Sequence, residues 1–295
     1  MEGNNVFSEH LFEYRSAEKR KIVLSLAITL TVMIIELIGG IYTNSIALIS
    51  DAGHMFTHSF ALGIGLIAIL IARKPPCHHR TFGLYRAEVL AAFINGLALL
   101  LMVGVIVYEA ILRILNPMKV TGLHMLLIAL LGLSVNLLSI YILRGNHGDL
   151  NVRGIFYHMM ADAASSVGII VAAVIIIYTG WNIIDPLVSL GISAIILYWA
   201  FGVLKESTMI LLEMAPTGLN TDMIIEDLMG RFPELKGINN PHLWTITGDM
   251  LVFSAHIVLD DNAKEVVSGI DRYLSEKYKI IESTLQIVYG EESCK

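Results

Sequence analysis

Charge is scarce in this chain: only 16% of its 295 residues are Asp, Glu, Lys or Arg, against roughly 25% in an ordinary soluble domain. A single water-soluble globule is therefore a poor fit. A basic excess is missing too. The formal net charge is −6, so the electrostatic footprint of a nucleic-acid binder is not there. Cysteine is limited to two positions, Cys77 and Cys294, too few for a disulfide framework. Prolines number only 7 and the glycines follow no triplet, which excludes a collagen-like chain. What the chain has instead is 55% hydrophobic residues and a mean hydropathy of +0.68. That much apolar content rules out intrinsic disorder.

The charge is also unevenly placed. Residues 1–214 hold 13 basic and 13 acidic residues, whereas residues 215–295 hold 7 basic and 13 acidic. The excess of negative charge lies wholly in the last section. Two domains are expected: an apolar one over 1–214 and an acidic, soluble one over 215–295.

Crossing a bilayer as helix takes about 20 apolar residues. Six such runs are visible, near 22–42, 46–72, 88–115, 121–143, 155–179 and 186–212. The breaks between them carry turn chemistry, such as Lys74-Pro75-Pro76, Asn116-Pro117 and Gly180-Trp181-Asn182. The first run starts after some 20 polar residues and precedes five more, so a cleaved secretory signal is not expected. Lys and Arg gather before the first run, between the second and third, and between the fourth and fifth. The positive-inside rule then puts both termini in the cytoplasm. Lys119 is the exception on the far side.

Ionisable residues inside a span are costly and mark a pathway or a site. Here they are Glu36, Asp51, His54, His58, Glu109, His158 and Asp162. Two pairs share one form: His54 and His58 are four apart, as are His158 and Asp162. Residues at i and i+4 project from one helix face, one turn apart. Two such helices facing each other bring three imidazoles and one carboxylate to one point. A tetrahedral N/O set of this kind suits zinc and its first-row neighbours. Asp51 shares the face of His54 and His58, placed to orient a histidine. The His54–His58 spacing also matches zinc metalloproteases, but those need Glu after the first His as general base. Met55 stands there, so an intramembrane metalloenzyme lacks its base and no enzyme activity is expected. Glu36, Asn95, Glu109 and Asn136 are expected to tie helices together by hydrogen bonds.

Longer motifs surround these residues. They include ELIGG at 36–40, SIALISDAGH at 45–54, TFGLYRAEVLAAFING at 81–96, HGDLNVRG at 147–154 and DPLVS at 185–189. In this order the chain resembles the cation diffusion facilitators, and within them the bacterial zinc, cobalt and cadmium efflux branch. The resemblance implies six transmembrane helices and a cytoplasmic tail. It implies a homodimer that exports zinc, or cobalt, nickel or cadmium, in exchange for protons. It assigns His54, His158 and Asp162 to the transport site, with His58 where the zinc branch carries Asp. That substitution removes one negative charge and favours borderline metals over magnesium or manganese. Zinc is then substrate, with no cofactor required. A membrane metal sensor without flux is the competing reading. Cys77-His78-His79 resembles a minor metal site in the same connection of some relatives, and His78 and His79 are its candidate ligands.

The tail reads as a small α+β domain of order α-β-β-α-β. Thr221 is a candidate N-cap. Residues 242–247 and 250–258 read as a hairpin, a helix spans 263–278, and a last strand covers 284–289. The resemblance implies a ferredoxin-like fold that dimerises and carries regulatory zinc. His242, His256 and Glu282 are the residues available for it, and the hairpin is expected to set the two histidines roughly opposite each other.

Overall fold

The computed structural model describes residues 19–72, 74, 77–143, 150–248, 250–259 and 263–288. His147, Cys294 and the Asp249 position of the expected hairpin turn lie outside the described residues. Among the described residues six long helices come first: α1 Lys19–Thr43, α2 Ile46–Ala72, α3 Arg86–Leu115, α4 Gly122–Leu143, α5 Leu150–Thr179 and α6 Ile184–Leu211. They follow the six apolar runs to within a few residues. Four stretches among the described residues are long and apolar enough to cross a membrane: α2, α3, the Asp162–Thr179 part of α5, and α6. The apolar parts of α1 (Ala27–Thr43) and α4 (Gly122–Leu138) are shorter.

The chain divides into two compact units, Met1–Leu62 with Leu97–Ala200, and Gly63–Gly96 with Phe201–Lys295. In the first, the interior is built from small and branched residues. Ala47, Ala129, Ala172 and Ala173 are fully or almost fully buried beside Leu48 and Ile169. Small side chains let apolar helices approach closely where water supplies no driving force. Large apolar groups point outward instead; Leu101 is 75% exposed, as expected of a surface that faces lipid tails. The turn from α1 into α2 is two residues, Asn44 and Ser45, with Asn44 at φ +57°. Asn tolerates this left-handed conformation better than most side chains, and it lets Ser45 N–H return to the Gly40 carbonyl at 2.9 Å.

The second unit contains the tail. Its elements are α7 Thr221–Arg231, β1 Leu235–Thr245, β2 Leu251–Leu259, α8 Ala263–Tyr278 and β3 Ile280–Val288. The sheet order is β1-β2-β3, with β1 antiparallel and β3 parallel to β2. Phe253, Ala255 and Ile257 alternate onto one face of β2, where Ile224 and Leu228 of α7 and Ile270 and Leu274 of α8 cover them. The N-cap is Asn220 rather than Thr221. Its Oδ1 accepts the Met223 N–H at 2.9 Å from extended backbone, which leaves Thr221 as the first helical residue. One carboxylate fastens the two helices: Asp227 Oδ2 accepts from Lys277 Nζ (2.7 Å), Tyr278 OH (2.7 Å) and Tyr273 OH (2.9 Å).

Candidate metal centre

Asp51, His54 and His58 sit on α2, and His158 and Asp162 on α5. The rotation of α2 is fixed at its first turn by a residue 140 positions away. Asp185, fully buried in the first turn of α6, accepts from Ser45 Oγ at 2.6 Å, the Ile46 N–H at 2.7 Å and the Ala47 N–H at 3.3 Å. These are orphan donors that the start of a helix must place somewhere. About one turn further along, the hydroxyls of Ser50 and Ser189 share a hydrogen bond. The motifs SIALIS and DPLVS are thus two halves of one clasp.

Held this way, α2 turns its polar face toward α5. His54 and Asp162 are both buried, with Nε2 of His54 3.5 Å from Oδ1 of Asp162. Asp51, 1% exposed, accepts from Ser165 Oγ at 2.6 Å. That same hydroxyl lies 2.8 Å from the Asp162 carbonyl. Ser165 therefore links the two aspartates. It was missed in the sequence, although its i+3 spacing from Asp162 places it on the same side of α5. The ring of Trp199 on α6 stands 6.0 Å from the His54 ring, centroid to centroid. A cavity of about 510 Å³ opens beside this group, walled by His54, Ser165, Trp199 and aliphatic side chains of α6. Gly191 on its wall has no atom within 4 Å of where a Cβ would stand. The side chains of His58 and His158 lie outside the described residues.

Glu36 on α1 is also buried, and neither carboxylate oxygen finds a hydrogen-bond partner among the described residues. Glu109, expected to bridge helices, instead bonds Arg113 on its own helix at 3.1 Å, because the i,i+4 spacing makes that the nearest cation. Arg113 in turn reaches the Asn44 carbonyl.

The other candidates are spread over the second unit. His78 and His79 are exposed on a tight turn closed by Cys77 and Arg80. A hydrogen bond from Arg80 holds the Cys77 thiol below its ordinary range. In the tail, His242 faces Ser254 across the hairpin, whereas His256 faces Asn239 and Gln286. An irregularity between Asn239 and His242 sets this register. The two histidines are therefore diagonal rather than opposite. Glu282 lies beside Val252, four residue pairs along the ladder from His256. Among the described residues, no group of three or more His, Cys, Asp or Glu side chains is gathered to hold a metal.

The profile of the cation efflux transmembrane domain matches residues 22–212, and the chain belongs to the cation diffusion facilitator family, integral membrane transporters and not enzymes. It is 42% identical over 269 residues to the cadmium, cobalt and zinc/H(+)-K(+) antiporter of Bacillus subtilis, covering 88% of this chain and 86% of that protein. It is 37% identical over 288 residues to the zinc transporter ZitB of Escherichia coli, covering 96% and 90%. ZitB of Pectobacterium atrosepticum is 37% identical over 279 residues, covering 93% and 87%.

Proposed function

We propose that this protein exports a divalent metal cation, zinc foremost, in exchange for protons, and that cobalt, nickel and cadmium are alternative substrates. The observation that carries this reading is the His54–Asp162 pair. Zinc binds imidazole nitrogen and carboxylate oxygen at about 2.0–2.2 Å each, which puts two tetrahedral ligand atoms about 3.4 Å apart. The observed 3.5 Å separation is close to that edge, which supports the pair as two of the ligands. His58 and His158 complete the set by helical spacing, and Asp51, anchored by Ser165, orients it from behind.

Exchange follows from the ligands. An imidazole titrates near pH 6.5, so at physiological pH it holds a proton or a metal. Metal binding releases protons, and protonation releases metal. With the site open to each side in turn, an inward proton gradient drives metal outward. The names of the Bacillus and Escherichia relatives, a zinc/H(+)-K(+) antiporter and a zinc transporter, support this assignment.

The architecture proposed for it is a transport domain over 1–214 with six spans and both termini cytoplasmic, in a bacterial inner membrane. A regulatory and dimerising tail over 215–295 follows. The tail is ferredoxin-like without its first strand: removing that strand leaves a hairpin joined through a helix to a parallel third strand, as in β1-β2-α8-β3. Tail zinc on His242, His256 or Glu282 would need a ligand from a partner chain, because two imidazoles on a diagonal hold a metal weakly.

The test is metal flux in proteoliposomes under a proton gradient, with zinc, cobalt, nickel, cadmium and manganese in competition. Wild type is expected to move zinc and exclude manganese. His58→Asp is expected to shift preference toward harder cations, because it restores a carboxylate. Full zinc flux in Asp162→Ala, or metal binding without flux in wild type, contradicts the reading; the second result is what a sensor gives.

A further inference from the structure

In the second compact unit a cleft of about 690 Å³ opens among the α2–α3 connection, the first turn of α3, the end of α6 and the β1–β2 hairpin. Its charge runs against that of the chain. Arg80, Arg86, His79 and His242 line it, with Glu213 as its acidic residue. Glu213 is already engaged, its Oε1 2.8 Å from Nη1 of Arg86. A guanidinium carries five N–H donors in a rigid fork, so Arg86 keeps most of its donors after that bond. The hydroxyl of Ser254 and the indole of Trp244 form the tail side of the cleft. Thus a basic, hydrogen-bond-rich recess stands in a protein of net charge −6.

A divalent cation is a poor occupant. Two guanidinium groups repel it, and among the described residues no third metal-binding side chain joins His79 and His242. An oxyanion fits: planar guanidinium forks match phosphate geometry, and imidazoles and a hydroxyl add donors. We propose that this cleft binds a phosphate-bearing anion, with Arg80 as its principal contact and His242 and Ser254 on the opposite wall. Two sources share that chemistry: the headgroup of an anionic lipid, and a free phosphate. Arg86 is the first residue of the apolar α3, so a headgroup at the end of that helix comes within reach. The assignment goes beyond transport and stands without it.

The test uses the full chain in a neutral detergent. Trp244 serves as the reporter after Trp181→Phe and Trp199→Phe, and the melting temperature of the unaltered chain serves as a second readout. The probes are pyrophosphate, short-chain phosphatidylglycerol and short-chain phosphatidylcholine. A saturable change with pyrophosphate or phosphatidylglycerol, but not phosphatidylcholine, is expected. Arg80→Gln is expected to raise the apparent Kd about tenfold, the loss of charge-assisted hydrogen bonds, and His242→Gln a smaller multiple. Arg80→Lys is expected to recover part of the loss. A response to both probes identifies free phosphate, and a response to phosphatidylglycerol alone identifies a headgroup. No saturable change with either at millimolar concentration overturns the proposal, as does a response unchanged by Arg80→Gln. A response to zinc alone that phosphate does not produce shows a metal site instead and also overturns it.

Discussion

Asp185 and Asp162 are both buried aspartates in apolar helices, and they do opposite work. Asp185 meets a hydroxyl and two backbone N–H groups of α2. Those donors are permanent, so the carboxylate is committed to holding one helix against another. Asp162 faces the imidazole of His54, a side chain whose ring nitrogen can hold either a proton or a metal. A carboxylate satisfied by backbone is a fastener, and one that meets an imidazole across two helices is the pair proposed above to exchange metal for protons. Burial alone does not tell the two apart; the identity of the donors does.

Breaking the fastener should have the largest effect on folding. Asp185→Ala strands the Ser45 hydroxyl and two N–H groups in the interior, at about 1–3 kcal/mol for each unsatisfied group. The variant is expected to accumulate poorly and to melt well below wild type in detergent. Asp185→Asn, which keeps one acceptor oxygen, should fall between them. By contrast, Asp162→Ala and His54→Ala should fold and melt near wild type while losing transport. If the Asp185 and Asp162 variants lose stability equally, the contrast between them collapses.

A smaller effect sharpens the same contrast in glycines. A Cβ at Gly132 would overlap Oε1 of Glu36, where α1 meets α4, whereas a Cβ at Gly63 would meet nothing within 4 Å. Gly132→Ala is expected to cost about 1–3 kcal/mol through forced repacking. Gly63→Ala should be neutral or slightly stabilising, because alanine favours helix. Comparing melting temperatures of the two variants checks both.

The smallest effect belongs to the tail, where a carboxylate is partnered but exposed to water. Lys277 first, then Tyr278, hold the Asp227 carboxyl below the usual carboxylate range. The contribution of such a group is complete above its unfolded pKa, about 3.9, and is lost as pH falls through the lowered folded value. The protection factors of α8 amides against hydrogen exchange should therefore fall in acid more steeply in wild type than in Asp227→Asn. Near neutral pH that variant should exchange about twofold faster, since exposed ion pairs are worth little. An identical pH profile in both chains would remove Asp227 from the account.

Much of this was legible in the sequence because the signals were local. Apolar runs gave the six helices, and i,i+4 spacing put His54 and Asp162 on inward faces, where they meet. The helix expected over 263–278 is α8, at those bounds. What the sequence hid was long-range or fine-grained. Nothing near Asp185 announces that its acceptors serve Ser45 and Ile46, some 140 residues earlier. The irregularity in β1 that sets His242 against Ser254 depends on backbone geometry, and strand alternation does not encode it. Asn220 displaced Thr221 as the cap by a difference of one residue, which composition does not resolve.

The central claim is that the buried imidazole–carboxylate pair exchanges metal for protons, and proton movement tests it most directly. Proteoliposomes carrying the full chain and an enclosed pH indicator are given a zinc gradient. Wild type is expected to move protons opposite to zinc, saturably, and His54→Ala and Asp162→Ala, each normally folded, are expected to move neither. Zinc flux without proton movement in wild type, or proton-coupled flux that survives in either variant, would contradict the account.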